Sequence, residues 1–273
     1  MTAPLQLPAG LTFETAGHRY ALHGERIAAT VSAVSAHADT GGFSIGAAWS
    51  AKQVSLAMLK EIANANKDTD WTASVKWAKG APARIRDAAA EAGTGFHAYA
   101  EAPCRAMLGH DDDLGLPPVL PELPTEPTQR RCAGAVRRFI EQHIRNPLGV
   151  EVRLLLPGDT PVAGTADLVT HLEGREGVFL VDWKGVSSLA YGDKASHVVQ
   201  LEAYAAMLEA SGNDIAGTIL VKIERNTGKI VASVFERSPE AMEIFRACLA
   251  IHEWRVPASE NLSENLEEEK NYG

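Results

Sequence analysis

One short segment, Val178 to Lys184, constrains the fold of this chain more than any other. It reads Val-Phe-Leu-Val-Asp-Trp-Lys. Four consecutive apolar residues are typical of a strand that is buried on both faces. Because side chains alternate along a strand, Asp182 and Lys184 share one face and Trp183 lies on the other. A carboxylate and an ammonium at the end of such a strand predict a polar site at the edge of a buried sheet.

A second strand, Val162 to Leu172, comes just before this segment and is predicted to form a hairpin with it. If Gly174-Arg175 is a two-residue turn, Asp167 faces Asp182 across the hairpin. Directly opposed side chains have Cβ atoms about 4.5–5.5 Å apart, and like charges at that distance repel each other. A divalent cation between the two carboxylates removes this conflict, provided that no bulge shifts the register.

Glu151 is predicted to lie close to the same place. It belongs to a strand from Val150 to Leu156, and the turn at Gly158-Asp159 brings it opposite Ala166 or Asp167, depending on the register. Glu151 is therefore either a third carboxylate of the site or a charge at the edge of the sheet, and the sequence favours neither. Oxygen ligands of this kind suit Mg²⁺ or Mn²⁺ better than zinc.

The remaining sequence predicts helices in the first half and a denser set of strands in the second. The predicted elements are a hairpin within residues 13–34, helices over 50–67, 82–107, 128–145, 196–210 and 239–254, and strands over 150–156, 162–172, 178–184, 217–223 and 230–235. Gly93-Thr94-Gly95 is expected to interrupt the second helix. The acidic, proline-rich residues 109–127 are predicted to be a loop, and the polar tail from residue 257 is predicted to be disordered.

Composition narrows the class of protein. The 273 residues are 45% hydrophobic and carry a net charge of −9, which argues against a basic surface that coats nucleic acid nonspecifically. We find neither a signal peptide nor an apolar run long enough to span a membrane. The three cysteines, Cys104, Cys132 and Cys248, are widely spaced and form no CxxC motif. This usage predicts a cytoplasmic protein without an iron–sulfur cluster.

Four motifs in a fixed order resemble the PD-(D/E)XK nuclease superfamily, in particular its RecB-like and Cas4-like exonuclease branch. The segment 164–168, Gly-Thr-Ala-Asp-Leu, looks like the Gly-x-x-Asp strand of that branch, and Asp182-Trp183-Lys184 is similar to its (D/E)xK strand. The segment 200–204, Gln-Leu-Glu-Ala-Tyr, matches its QxxxY helix. Upstream, Gly93-Thr94-Gly95-Phe96-His97 resembles its glycine-then-histidine element. The match covers roughly residues 97–204.

The resemblance implies a role for each of these residues. Asp167 and Asp182 would bind the metal together with His97 and the backbone carbonyl of Trp183, and one or two Mg²⁺ or Mn²⁺ ions would be held. Lys184 would orient or deprotonate the attacking water. The helix motif would position Lys184 or contact the DNA backbone through two side chains one turn apart, those of Gln200 and Tyr204.

The resemblance also implies the fold and the substrate. We expect an α/β fold, with a restriction-endonuclease-like mixed central sheet flanked by helices and a mainly helical N-terminal part. Residues 1–256 would form one nuclease domain, with the hairpin and helices over 1–148 and the catalytic sheet and helices over 149–256. The expected function is hydrolysis of linear single- or double-stranded DNA ends, with a recombination protein as a further partner. The alternative is a DNA-binding or assembly protein that keeps the nuclease fold without catalysis.

Some residues have a structural interpretation beside the functional one. His97 considered alone is an ordinary core or surface histidine, and only its place after the glycines favours a ligand. The arginines of the 128–145 helix face either phosphates or solvent. Trp71 and Trp77 are expected to pack in the interior rather than to stack on bases. His197 and the other histidines are assigned no function.

Overall fold

The computed structural model describes residues 4–15, 19–39, 42–66, 68–108, 122–190 and 192–270. The chain divides into two compact units. One unit comprises residues 1–39 and 97–273, and the other comprises residues 40–96. The expectation that residues 1–256 form a single nuclease domain stays a prediction. Within the described ranges, no helix combines the length and the apolar character that a membrane span requires.

The first unit contains two sheets. A small antiparallel sheet is formed by β1 (Leu11–Glu14), β2 (Arg19–Leu22) and β3 (Glu25–Ile27). The main sheet is formed by β4 (Ala29–Thr30), β5 (Ile144–Leu156), β6 (Val162–Leu172), β7 (Phe179–Val186), β8 (Gly217–Glu224) and β9 (Ile230–Phe235). Its strand order is β4-β6-β7-β8-β9, and β5 pairs with β6. The sheet is mixed, as predicted, because the β4–β6 and β7–β8 pairs are parallel while the β5–β6, β6–β7 and β8–β9 pairs are antiparallel.

The five predicted helices are present with shifted boundaries, and two short helices, Val31–Ser35 at the end of the predicted hairpin and Trp71–Lys79, were not predicted. In chain order the helices are α1 (Val31–Ser35), a 3-10 turn (Ala36–Ala38), α2 (Gly42–Ala63), α3 (Trp71–Lys79), α4 (Ala81–Leu108), α5 (Pro127–His143), α6 (Ala195–Ala210) and α7 (Pro239–Lys270). The second unit contains α2, α3 and the part of α4 up to residue 96. Two helices have a side-chain cap at the N-terminus. Asp70 accepts hydrogen bonds from backbone N–H groups in the first turn of α3, and Glu126 does the same for α5, so N–H groups without a partner inside the helix are satisfied.

Helices pack on both faces of the main sheet. Helix α6 buries Val199, Ala203 and Met207 in the same core as Leu180 of β7 and Leu220 of β8. Helix α5 contacts the sheet through Phe139, whose ring meets that of Trp183 edge-on at 5.7 Å between centroids. Since Trp183 alternates with Asp182 and Lys184 along β7, this contact leaves the two charged residues on the opposite face. The expected α/β fold with a central mixed sheet flanked by helices is confirmed.

The register between β6 and β7 is the predicted one, although the connection differs. Leu168 pairs with Val181 and Thr170 with Phe179, which is the alignment that sets Asp167 against Asp182. The connection is longer than the predicted two-residue turn, because β6 ends at Leu172 and β7 begins at Phe179. The predicted two-residue turn was therefore wrong. The register is unchanged because the residue pairs next to a hairpin turn can separate without shifting the pairs further along the strands.

Three further predictions meet the structure differently. Helix α4 runs through Gly93-Thr94-Gly95 without the expected break, since the alanine-rich residues before it offset a glycine cost of about 1 kcal/mol each. Helix α7 continues to Lys270, across the segment predicted to be disordered, where glutamates and leucine favour helix. Most of the predicted acidic loop, residues 109–121, lies outside the described residues.

Candidate active site

The two central strands of the site separate next to Asp167. Pairing between β6 and β7 begins at Leu168 and Val181, and Asp167 takes no part in the ladder. Instead, the backbone N–H of Trp183 donates a hydrogen bond of 2.8 Å to Oδ2 of Asp167. The carboxylate thus replaces the carbonyl that a paired strand would offer, and the buried N–H stays satisfied. This bond fixes the Asp167 side chain in the gap between the strands.

Asp167 forms a compact group with His97 and Glu151. One ligand atom of each residue lies within 4.8 Å of the other two, an arrangement that could hold a metal ion. Nδ1 of His97 lies 3.4 Å from Oδ1 of Asp167. The group is assembled from α4, β5 and β6. Glu151 stands between residues that pair with Ala166 and Leu168, so it lies opposite Asp167, and of its two predicted placements the structure gives the one inside the group.

Charge and burial act together on this group. Burial by itself would lower the pKa of His97, but the hydrogen bond and the charge of Asp167 raise it above the ordinary value. Burial works to raise the pKa of Asp167, and the hydrogen bond and charge of His97 outweigh it, so the net shift is downward. Burial, with the charges of Asp167 and Glu101, raises the pKa of Glu151 to about 7. The group therefore concentrates negative charge that a cation would stabilise.

Asp182 and Lys184 form a pair beside the group. Nζ of Lys184 lies 2.8 Å from both oxygens of Asp182. Only Oδ1 accepts a well-oriented hydrogen bond; Oδ2 is buried and accepts none from the described residues. Burial raises the pKa of Asp182, with Asp167 adding to the effect and Lys184 opposing it. Burial works to lower the pKa of Lys184, but the charges of Asp182 and Asp167 raise it on balance.

The residues present fit a hard divalent cation. His97, Glu151 and Asp167 offer one nitrogen and carboxylate oxygens, and the Oδ2 atom of Asp182 is a buried acceptor that receives no hydrogen bond from the part of the chain that the structure describes. Such a donor set suits Mg²⁺ or Mn²⁺. Asp182 lies outside the three-residue group, so its role as a ligand stays a prediction. The same holds for the carbonyl of Trp183, a residue that lines the small cavity around the group.

The two residues of the helix motif contact each other above the sheet. Nε2 of Gln200 donates a hydrogen bond of 3.1 Å to the hydroxyl of Tyr204. Tyr204 is buried in the main core, and burial raises the pKa of its hydroxyl. The charges of Asp182 and Asp167 add to that rise. The ring of Tyr204 lies against Gly164 of β6, the strand that carries Asp167, while the roles of both residues in catalysis stay a prediction.

His197 lies in the first turn of α6 and is assigned no function in the sequence analysis. Its Nδ1 atom is buried and has no hydrogen-bond partner among the described residues. Burial, together with the charges of Lys184 and Lys194, lowers the pKa of His197 to about 4. His197 precedes Gln200 by three positions and Tyr204 by seven, so the three share one face of α6. That spacing was the available signal.

The two tryptophans of the second unit are not packed as predicted. Trp71 is 46% exposed and Trp77 is 43% exposed, so the expectation of interior packing was wrong. The inward side of α3 is made by the small residues Ser74 and Ala78. The guanidinium of Arg84 lies 4.3 Å from the centroid of the Trp77 ring. Small residues at the buried positions leave the large rings at the sides of the helix.

The fold and the site together define a class: an α/β protein with a restriction-endonuclease-like sheet and an Asp-Xaa-Lys strand beside a carboxylate–histidine group. The family model of the PD-(D/E)XK nuclease superfamily matches residues 73–268. The chain belongs to the PD-(D/E)XK nuclease superfamily. The superfamily part of the resemblance seen in the sequence is thereby confirmed.

Two other comparisons add little. A search of curated protein sequences found no match. Among solved structures, the chain is similar to one described as "Crystal structure of SSO0001", with 17% sequence identity and a TM-score of 0.30. The similarity covers 42% of this chain and 52% of that one, so the chain spans about half the length of the protein it matches.

Proposed function

We propose that the protein is a metal-dependent DNA nuclease of the RecB-like and Cas4-like branch that hydrolyses phosphodiesters at linear DNA ends. The observation that carries the proposal is the gap between β6 and β7, where Asp167 meets His97 and Glu151 and the Asp182–Lys184 pair lies alongside. Membership of the nuclease superfamily supports DNA as the substrate. An exonuclease acting in the cytoplasm of a bacterial cell or phage host, in recombination, repair or phage replication, is the form we favour.

The ligand set divides between the two sides of the gap. His97, Glu151 and Asp167 would hold the cation from one side, and Oδ2 of Asp182 and the carbonyl of Trp183 would face it from the other. When bound, Mg²⁺ or Mn²⁺ lowers the pKa of a coordinated water and polarises the phosphoryl oxygen. The hydrogen bond from the N–H of Trp183 keeps Asp167 oriented with or without the ion. The carboxylates therefore need little rearrangement on binding.

Lys184 acts as a charged donor. The carboxylates of Asp182 and Asp167 raise the pKa of its ammonium, so Lys184 holds its proton at neutral pH. An ammonium in this position donates hydrogen bonds to the attacking water and to a phosphate oxygen, and its charge favours the negative phosphate. Of the two roles that the sequence left open, orientation of the water therefore fits better than deprotonation.

Gln200 and Tyr204 support the charged pair from the helix. Their mutual hydrogen bond fixes both side chains on the face of α6 that covers β7. A hydroxyl with a strongly raised pKa stays protonated, so Tyr204 can donate but not act as a base. We propose that the two residues hold the Lys184 side of the site in place as DNA enters.

A cleavage assay tests this function. Purified protein is incubated with Mg²⁺ or Mn²⁺ and with linear single-stranded, linear double-stranded and circular DNA, each labelled so that the released products show the polarity. We expect nucleotides to be released from linear ends, with no release in the presence of a chelator. Intact linear DNA with both metals would reject the enzymatic proposal. DNA binding without cleavage would instead favour the non-catalytic alternative.

A further inference from the structure

A pocket of about 670 Å³ opens beside the candidate metal group. It lies along β5 and is bounded by the N-terminal residues 4–7 and by β1. Glu101 and Glu151 line this pocket and also line the small cavity that contains His97 and Asp167. The pocket is therefore a space that a group attached to a phosphate at the site could enter.

The wall of the pocket combines apolar and polar side chains. Its apolar part includes Leu5, Leu7, Phe13, Leu148 and Val152. The ring of Phe13 is tilted against that of Tyr20, with 4.8 Å between the centroids, which holds it in place. A pocket of several hundred cubic ångströms that combines an aromatic ring and aliphatic side chains with charged and hydroxyl groups is typical of a site for a small, flat molecule with both apolar and polar parts.

Two arginines line the pocket, and their side chains make different contacts. Arg105 is bound by Glu101, with Nε 2.6 Å and one terminal nitrogen 2.5 Å from the same carboxylate oxygen. The guanidinium of Arg153 is exposed and lies 5.6 Å from the centroid of the Phe13 ring. Arg153 thus places a positive charge next to an aromatic ring. Proteins that bind single-stranded nucleic acid use such a ring to stack on a base and such a charge to contact its phosphate.

We propose that this pocket binds one unpaired nucleoside of the DNA strand next to the phosphate held at the metal group. The base lies against Phe13 and the leucines, and Arg153 contacts the adjoining phosphate. This inference rests on the proposed function for the position of the phosphate. A base that is paired and stacked in a duplex cannot reach such a pocket without leaving the stack. The substrate class is therefore single-stranded DNA or a frayed end.

A binding experiment tests this pocket separately from cleavage. The probes are short fluorescent single-stranded oligonucleotides in which the terminal nucleotide carries a base or is abasic, made for the 5′ end and for the 3′ end. Anisotropy is measured with a chelator present, so that no cleavage occurs. For one of the two ends, the wild-type protein is expected to bind the oligonucleotide with a base roughly tenfold more tightly than the abasic one.

Variants assign that difference to the pocket. Phe13→Ala removes the aromatic wall and Leu7→Trp fills the space from an exposed position, and each is expected to reduce the difference to about twofold or less. Phe13→Tyr keeps a ring and should preserve it. Val231→Ala replaces an exposed apolar residue of β9 that does not line the pocket and should also preserve it. Circular dichroism identifies any variant that fails to fold.

The outcomes separate this inference from the function on which it rests. Equal affinity for base and abasic oligonucleotides at both ends, or a preference that survives both Phe13→Ala and Leu7→Trp, would overturn the pocket assignment even if the protein cleaves DNA. The wild-type protein could also prefer the oligonucleotide with a base, lose this preference in both variants, and cleave no DNA. That result would support the pocket assignment and reject the proposed nuclease activity. Binding of apolar peptides in place of oligonucleotides would count against it.

Discussion

The ring of Tyr204 packs directly on the backbone of Gly164. A β-carbon at Gly164 would lie 2.5 Å from Cε1 of Tyr204 and 2.9 Å from Cγ2 of Val31. These distances are shorter than atoms in a core can tolerate, so only glycine allows α6 to approach β6 this closely. Gly164, which begins the Gly-x-x-Asp motif, and Tyr204, which ends the QxxxY motif, therefore contact each other directly. That contact holds α6 over the strand that carries Asp167.

Replacement of Gly164 by alanine tests this packing. We expect Gly164→Ala to lower the free energy of unfolding by about 1–3 kcal/mol, because the added methyl group must displace Tyr204 or Val31. Urea denaturation measures the change. The matched control is Gly134→Ala in α5, where the nearest atom to a new methyl group is the end of Arg138 at 3.5 Å. The control should stabilise the protein by about 0.4–1 kcal/mol, and an equal loss in both variants would contradict the explanation.

Much of this arrangement could be predicted because it depends on local patterns. Alternation along β7 placed Asp182 and Lys184 on one face, and the predicted register between β6 and β7 is the observed one although the turn differs. The QxxxY spacing placed Gln200 and Tyr204 on one helix face. Each of these relations involves residues within one element or one hairpin, where sequence spacing determines geometry.

The features that could not be predicted depend on how distant segments pack. Glu151 lies opposite Asp167 because of the register between β5 and β6. This pairing contains bulges, and each bulge shifts the register in a way that the sequence does not reveal. The ion pair between Asp182 and Lys184, two residues apart on β7, has a geometry that depends on the side-chain conformations in the buried site. The pocket beside the site requires the N-terminal segment, β1 and β5 together, which no spacing in the sequence reveals.

Arg237 is predicted to stabilise the packing of α6 against the start of α7. Its guanidinium bonds both oxygens of Glu202, a buried carboxylate, and also Glu209. Arg237→Ala leaves Glu202 buried without its cation, so we expect a loss of about 3 kcal/mol in the free energy of unfolding. Arg145→Ala breaks an exposed pair with Glu173 and is the control, with an expected loss below about 1 kcal/mol. Similar losses in the two variants would show that burial of Glu202 contributes little.

The neutral imidazole of His197 predicts a pH dependence of stability. Its pKa is about 4 in the folded protein and about 6.5 in an unfolded chain. The unfolded chain therefore takes up the proton first, so stability is complete above about pH 6.5 and is lost as the pH falls toward 4.

His197→Gln removes this titration. Between pH 6.5 and pH 4.5 the variant should lose about 1 kcal/mol less than the wild type, a figure reduced for partial exposure of the ring. Urea denaturation across that range measures the difference, and the exposed His143→Gln serves as the control. Parallel curves for the wild type and His197→Gln would count against a buried neutral imidazole.

Metal binding should depend more on Asp167 than on any other residue of the group. Mn²⁺ that binds only the folded protein raises the melting temperature, and a concentration 100 times the dissociation constant adds about 2.7 kcal/mol. We expect Asp167→Asn to abolish this rise and Glu151→Gln to reduce it. Glu173→Gln, at an exposed residue outside the group, is the control. Differential scanning calorimetry with and without a chelator measures the shift, and a full rise in Asp167→Asn would place the ion elsewhere.

Lys184→Ala should separate metal binding from catalysis. The substitution removes the ammonium that we assign to the water and the phosphate, so the rate of DNA cleavage should fall at least about 100-fold, the scale for loss of one charged donor in an active site. The rise in melting temperature with Mn²⁺ should persist, because the three-residue group is untouched. Lys229→Ala, at an exposed lysine, should cleave DNA at the wild-type rate. Cleavage by Lys184→Ala at a rate close to that of the wild type would remove the lysine from the mechanism and leave the acidic group as the whole catalytic apparatus.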